Sequence, residues 1–292
     1  TRHSTLFPYT TLFRSAIASA RKGIRTLFGS ASHFDAARLD ADLDAAIRDR
    51  GRWLGGRRIP SGLSREGRRT LIKALSVMKT QVCSPEGRIR HRWTTPDRWP
   101  HRRMWLWDSA FHAIGWRHFD PALAREAISA VLDLQARDGF VPHMMDPNGV
   151  SAVTQPPILA LAAKLVNDVA PDPVWIAWLY PKLCAYVNWN MANRDKDGGG
   201  LLEWHIEGDP FCRCGESGMD NSPRFDAATR LDAVDFNSFL ALECETLAGF
   251  SVTLGLSEDA TKWRSLHAKL CRLITERLWS EDAGFFVDYD EE

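Results

Sequence analysis

The feature that most constrains this chain is its hydrophobic spacing. Apolar residues recur at intervals of three and four, and no segment alternates with period two for long. Leu123, Ala127, Val131 and Leu134 form one such stripe, with Arg125, Ser129 and Asp133 expected to face away from it. Phe236, Leu240, Cys244 and Leu247 form a second, and Trp263, Leu266, Leu270 and Leu273 a third. Helix starts are marked with equal clarity. Asp120-Pro121 and Asp172-Pro173 each place a capping carboxylate before a proline, which suits the first helical position.

These signals predict helices over Ser64–Val82, Trp105–Gly115, Pro121 onward, Pro157–Ala170, Pro173–Asn193 and Asp235–Leu254, with a last one capped by Ser257. A weaker stripe, Leu39, Leu43 and Ile47, predicts a helix over Ala36–Ile47. Ser84-Pro85-Glu86-Gly87 is expected to end the helix before it, and Gly255 the one before Ser257. Gly284–Tyr289 is the nearest approach to a strand. The fold class is therefore all-α. Each helix with its loop takes roughly 31 residues, and long motif-bearing loops suit a ring of helical hairpins better than a four-helix bundle.

Three segments are expected: Thr1–Ser15, which resembles translated sequencing-adaptor sequence and is set aside; a poorly defined stretch over 16–60; and the main domain over 61–292. Lys+Arg and Asp+Glu stand at 37 each, so no overall field recruits nucleic acid or an anionic membrane. No apolar run is long enough to span a bilayer. Six scattered cysteines make no disulfide framework and fit a reducing, cytoplasmic setting. Cys212 and Cys214 lack a second Cys/His pair at zinc spacing. Asn193–Gly198 opens like a calcium loop, but its twelfth position is Trp204 where a bidentate glutamate is needed. No metal or cofactor is expected, and the oligomeric state is left open.

The chemistry then rests on four loops, whose turn and cap residues could by themselves be structural. One carries Trp105 to His112, with Trp107 and Asp108; the next Pro142-His143-Met144; the third Thr154-Gln155-Pro156-Pro157; the last Ser217 to Asp226. Indoles beside carboxylate, amide, imidazole and guanidinium groups suit a sugar pocket, where rings stack and polar groups bind hydroxyls. Tryptophan is abundant at 12 residues, which fits either stacking or core filling. In the last loop Asp220 stands between Gly218 and an Asn-Ser-Pro turn, a setting that suits a held catalytic acid as well as a plain turn.

The ordered strings RWTTPDRWPHRRMWLWDSAFHAIGW, DGFVPHMM, TQPPILALAA and ESGMDNSPRFD resemble the helical-barrel glycoside hydrolases of family 63, including mannosylglycerate-hydrolase-like enzymes. Trehalase and the glucosidase part of glycogen debranching enzymes are more distantly similar. The resemblance implies an (α/α)6 barrel, incomplete in this chain, and inverting hydrolysis of an α-glucoside or α-mannoside. It implies Asp220 as general acid, Trp107 and Asp108 holding the glycone, Gln155 contacting sugar hydroxyls, and His143 and Arg224 in the pocket. Gly215 stands where relatives often carry tryptophan, which leaves aglycone contacts there open.

Two expectations follow from that resemblance. Protonation of Asp220 at neutral pH requires burial or a neighbouring carboxylate. The resemblance implies that the general base is a glutamate far downstream, expected beyond Glu292. Glu203, Glu207, Asp209 and Glu216 are alternatives in principle but match no position the family uses, and the chain alone is then expected to be inactive. The competing expectation is a carbohydrate-binding or scaffold protein derived from the same barrel.

Overall fold

A computed structural model describes residues 43–57, 59–97, 101–209 and 211–290. The Thr1–Ser15 segment, the first part of the Ala36–Ile47 helix and Trp99 lie outside the described residues. Two compact units divide at Ser76.

Within the first unit, α1 spans Leu43–Gly55, so the helix runs past Ile47 to the glycine pair. Arg57 and Arg50 lie over the Trp53 ring at 4.6 and 5.6 Å, a cation–π arrangement. Arg50 also donates to the Ser76 carbonyl at 2.9 Å. The next helix, α2, covers Arg65–Thr80. Ser64 caps it by accepting from Gly67 N at 3.0 Å.

The second unit holds α3 (Leu106–Trp116), α4 (Pro121–Asp133), α5 (Leu159–Val169), α6 (Pro173–Arg194), α7 (Val234–Thr253) and α8 (Ser257–Arg277). With α2 these are the seven helices that the spacing predicts between Ser64 and Ser280. Helices α3, α5 and α7 pack side by side. Helix α4 lies against α3 and α5, α6 against α5 and α7, and α8 against α7. The result is three hairpins in two layers, an arrangement consistent with the wall of a helical barrel.

Caps fall where Asp-Pro predicts. Asp120 accepts from Leu123 N at 3.0 Å and Asp172 from Trp175 N at 2.9 Å. Ser257 is different. It is the first helical residue, the cap position is Leu256, and no side chain caps α8. The expectation for the outer face of α4 is also corrected. Ser129 is buried and accepts from Trp175 Nε1 at 3.1 Å. The Asp133 carboxylate is fully covered, taking Arg90 N at 2.7 Å and His91 Nδ1 at 2.9 Å. Loop and neighbouring helix cover the face that spacing alone leaves to solvent.

Short strands were not legible from alternation, because most hold only two residues. Val82–Cys83 (β1) pairs with Trp93–Thr94 (β2), and α2 thus stops at Thr80, ahead of Ser84-Pro85. Met104–Trp105 (β3), Met144–Asp146 (β4) and Gly149–Val150 (β5) make a three-stranded sheet. Leu231–Asp232 (β6) pairs with Tyr289–Asp290 (β9), and Trp279–Ser280 (β7) with Phe285–Phe286 (β8). The last two pairings bear out the strand reading around Gly284–Tyr289.

Candidate active site

Strand β3 runs directly into α3, so pairing of Trp105 with Met144 in β4 brings the first two motif loops together. The Leu106 N–H donates to the His143 carbonyl at 2.9 Å. His143 in turn is fixed at both ends. Its backbone N–H donates to Val153 O at 2.8 Å, and its Nδ1 lies 3.2 Å from the same oxygen. A carbonyl can only accept, so Nδ1 carries the proton and Nε2 keeps a free lone pair. Burial pushes the His143 pKa below 6.5, against the Val153 hydrogen bond and the fields of Glu207, Asp220 and Glu216. The ring is neutral near pH 7. Trp105 meets it edge-on at 5.2 Å.

Gln155 is 3% exposed and aims Oε1 at the Trp107 backbone N–H, 3.1 Å away. It thus caps α3 from another loop, since Trp105 at the cap position offers no side-chain oxygen. Asp108 lies in the first turn of the same helix and is half-buried. Burial raises its pKa, opposed by its own backbone N–H and by His101.

Trp107 has a second neighbour. Gly218 adopts φ +70°, and a Cβ there would fall within 2.7 Å of the indole Cη2. Only a glycine lets the backbone of the acid loop approach that ring. The loop closes on itself: Ser217 Oγ donates to Cys214 O at 2.8 Å and accepts from Met219 N at 3.0 Å. The Asp220 carbonyl accepts from Arg213 N and Cys214 N at 2.8 and 3.2 Å. Its side chain is exposed. The burial expected to favour a protonated Asp220 is therefore absent.

The other carboxylates near the loop are committed. Glu216, fully buried, receives Arg194 Nε and Nη2 at 2.8 and 2.6 Å, Thr154 N at 3.1 Å and His205 N at 2.9 Å. Glu207 accepts from Gly215 N at 2.9 Å, Glu203 from Lys196 N and Asp209 from Phe211 N. Arg224 forks onto Asp235 at 2.8 and 3.1 Å and reaches Asp288 at 2.9 Å. Asp195 and Asp197 accept from Gly200 N and Gly199 N, which makes their segment a glycine turn.

Most of the described tryptophans are not in this site. Trp116, Trp204 and Trp263 are fully buried core residues, and Trp204 stacks on Phe236 at 3.9 Å. All six cysteines are free thiols. A separate cavity of about 390 Å³, lined by Leu161, Lys164, Leu242 and Glu245 among others, includes none of the six candidate residues. Among the described residues no cluster of His, Cys, Asp and Glu could hold a metal ion, and no helix is long and apolar enough to cross a membrane.

Sequence missed the Glu216–Arg194 pair. Glu216 lies inside a quoted motif, but nothing local indicates a partner 22 positions upstream.

The model for the mannosylglycerate hydrolase MGH1-like glycoside hydrolase domain matches residues 100–292. A mannosylglycerate hydrolase of Thermus thermophilus is 32% identical over an alignment of 162 residues that covers 47% of this chain and 37% of that protein. The glucosylglycerate hydrolase of Mycolicibacterium hassiacum is 29% identical over an alignment of 164 residues that covers 44% of this chain and 35% of that one. This chain thus spans little more than a third of these curated relatives. The crystal structure of a Thermus thermophilus GH63 mannosylglycerate hydrolase in complex with glucose superposes with a TM-score of 0.59. That match is 25% identical and covers 75% of this chain and 66% of that one.

Proposed function

This chain belongs to the mannosylglycerate hydrolase MGH1-like glycoside hydrolases, and from that premise we propose that it binds an α-linked glucoside or mannoside and protonates the leaving oxygen from Asp220. The observation that carries the reading is the approach of Gly218 to the Trp107 indole, with Gln155 holding the backbone N–H of the same tryptophan. It joins the loop of the acid to the loops expected to hold the sugar.

In this reading the Trp107 indole stacks on the glycone ring, and Asp108 accepts from its hydroxyls. The Gln155 amide nitrogen, which bonds to no described residue, donates to another hydroxyl. His143, neutral and with Nε2 open, accepts from one more. Arg224 is assigned a supporting part, because Asp235 and Asp288 already occupy its guanidinium. A bound sugar also removes water from around Asp220, which supplies on binding the desolvation that the free protein lacks.

Inversion needs a second carboxyl roughly 6.5–9.5 Å from the acid to activate water on the opposite face of the sugar. Glu216 cannot serve while Arg194 and two backbone N–H groups hold it. We assign the base to no described carboxylate. The exposure of Asp220 favours one second reading, a carbohydrate binder that has no chemistry.

The test uses the polypeptide together with any longer form of the same protein. Titration with glucose, mannose and their α-glycosides should quench tryptophan fluorescence, and Trp107→Ala should abolish the response. Where hydrolysis occurs, Asp220→Asn should lower kcat by about a hundredfold or more with sugar affinity unchanged. Proton NMR of the first-released anomer should show inversion. Turnover that survives Asp220→Asn would remove Asp220 as the acid.

A further inference from the structure

We propose that Glu216 is the positioning residue of this site, fixing the loops of Gln155 and Asp220 against each other through a buried pair with Arg194. The inference rests on the glycoside-pocket reading and names the group that holds that pocket in register.

Glu216 has no exposed surface and carries four donors on two oxygens. Oε1 takes Arg194 Nη2 and Thr154 N; Oε2 takes Arg194 Nε and His205 N. A carboxylate so saturated has no lone pair left for substrate. What it does have is bonds to three chain segments, one each to Thr154 and His205 and two to Arg194. Thr154 precedes Gln155, the cap of Trp107. His205 precedes the segment whose Glu207 accepts from Gly215 N. Glu216 itself lies two residues before Gly218 and four before Asp220.

Arg194 is held in its own right. It ends α6, donates through Nη1 to the Asn193 carbonyl at 3.0 Å and lies over the Trp189 ring at 4.8 Å. Its carbonyl accepts from Glu203 N at 2.7 Å. The guanidinium is therefore a fixed fork, and the carboxylate is fixed upon it. Thr154 is tied further by its hydroxyl, with Val141 O and Tyr186 OH at 2.7 and 2.6 Å. Displacing the Glu216 oxygens shifts the Gln155 loop and the Gly218 turn independently, and both bear on Trp107.

The experiment compares Glu216→Gln and Glu216→Asp with Tyr180→Phe in the full chain. Tyr180 is a control of similar burial: its hydroxyl bonds Ser251, Asp259 and Trp263 among α6, α7 and α8, away from the site. Two readouts are taken below every unfolding transition: the Trp107 indole N–H resonance, assigned through Trp107→Phe, and affinity for glucose and mannose. Glu216→Gln should move the Trp107 resonance and weaken sugar binding by about tenfold or more, since it leaves the Arg194 charge unpaired. Glu216→Asp, which keeps the charge, should recover part of both. Tyr180→Phe should lower the unfolding temperature and leave both readouts as in the parent. An unchanged Trp107 resonance in Glu216→Gln overturns the proposal, and so does an equal change in Tyr180→Phe. If the parent binds neither sugar, the glycoside reading fails by itself, while the Trp107 resonance still decides the positioning role.

Discussion

Gly218 and Trp107 are packed so closely that the acid loop and the first turn of α3 have no room for a methyl group between them. Gly218→Ala therefore meets two costs. The left-handed backbone disfavours an L side chain by about 1–2 kcal/mol. The new carbon also strikes the Trp107 indole, on a residue whose backbone N–H is bound to Gln155. Gly284 supplies the comparison, with φ +61° and open space where its Cβ would go. Urea denaturation should show Gly218→Ala losing more stability than Gly284→Ala, and only the former should weaken sugar binding. Equal losses would mean that the Trp107 contact contributes nothing.

Arg224 ties the same loop to the start of α7 and to Asp288. Lysine keeps the charge but cannot make two parallel bonds to one carboxylate. Arg224→Lys should cost about 1–3 kcal/mol in chemical denaturation, the worth of a charged hydrogen bond in a half-buried setting. Sugar affinity should change far less than in Trp107→Ala. A loss of affinity as large as that of Trp107→Ala would place Arg224 on the sugar.

His112 gives a pH signature. Burial lowers its pKa from 6.5 to about 4, with Nδ1 2.9 Å from Thr94 Oγ1. The unfolded chain therefore takes up this proton first as the pH falls. The resulting stability is complete above pH 6.5 and is lost as pH falls towards 4, with a limit of about 3 kcal/mol. Unfolding free energies measured from pH 7.5 to 4.5 should fall more steeply for the parent than for His112→Gln. Parallel curves would show that His112 titrates alike in both states.

Helix identity was legible because it depends on local chemistry. Asp120 and Asp172 cap through their own side chains, and the stripe from Phe236 to Leu247 is buried throughout. Asp133 was misread because its partners, Arg90 and His91, come from a loop some 42 residues earlier. Ser257 was misread because a serine can open a helix without capping it. The motif loops were visible as strings, and the link from Gln155 to Trp107 could not be, since it joins positions 48 apart. Exposure of Asp220 was equally hidden. Composition says a carboxyl lies in a turn, and only packing decides whether water reaches it.

Glu243 offers a test with the opposite sign to His112. From α7 it reaches the start of α5, where its two oxygens accept from Ala160 N and Leu161 N at 2.8 Å each. Burial raises its pKa from 4.5 to about 8, although both backbone bonds favour the ionised form. The folded state thus holds a proton that the unfolded chain has released. This contribution is fully present below pH 4.5 and is lost as pH rises through about 8. Glu243→Gln cannot ionise and escapes the loss. It incurs a constant cost instead, because an amide turns a donor towards one of the two backbone N–H groups. The variant should be less stable than the parent near pH 5, and the gap should narrow steadily towards pH 8.5. A gap that stays constant across that range would show that Glu243 is already ionised in the folded protein, held by the two N–H groups at the start of α5.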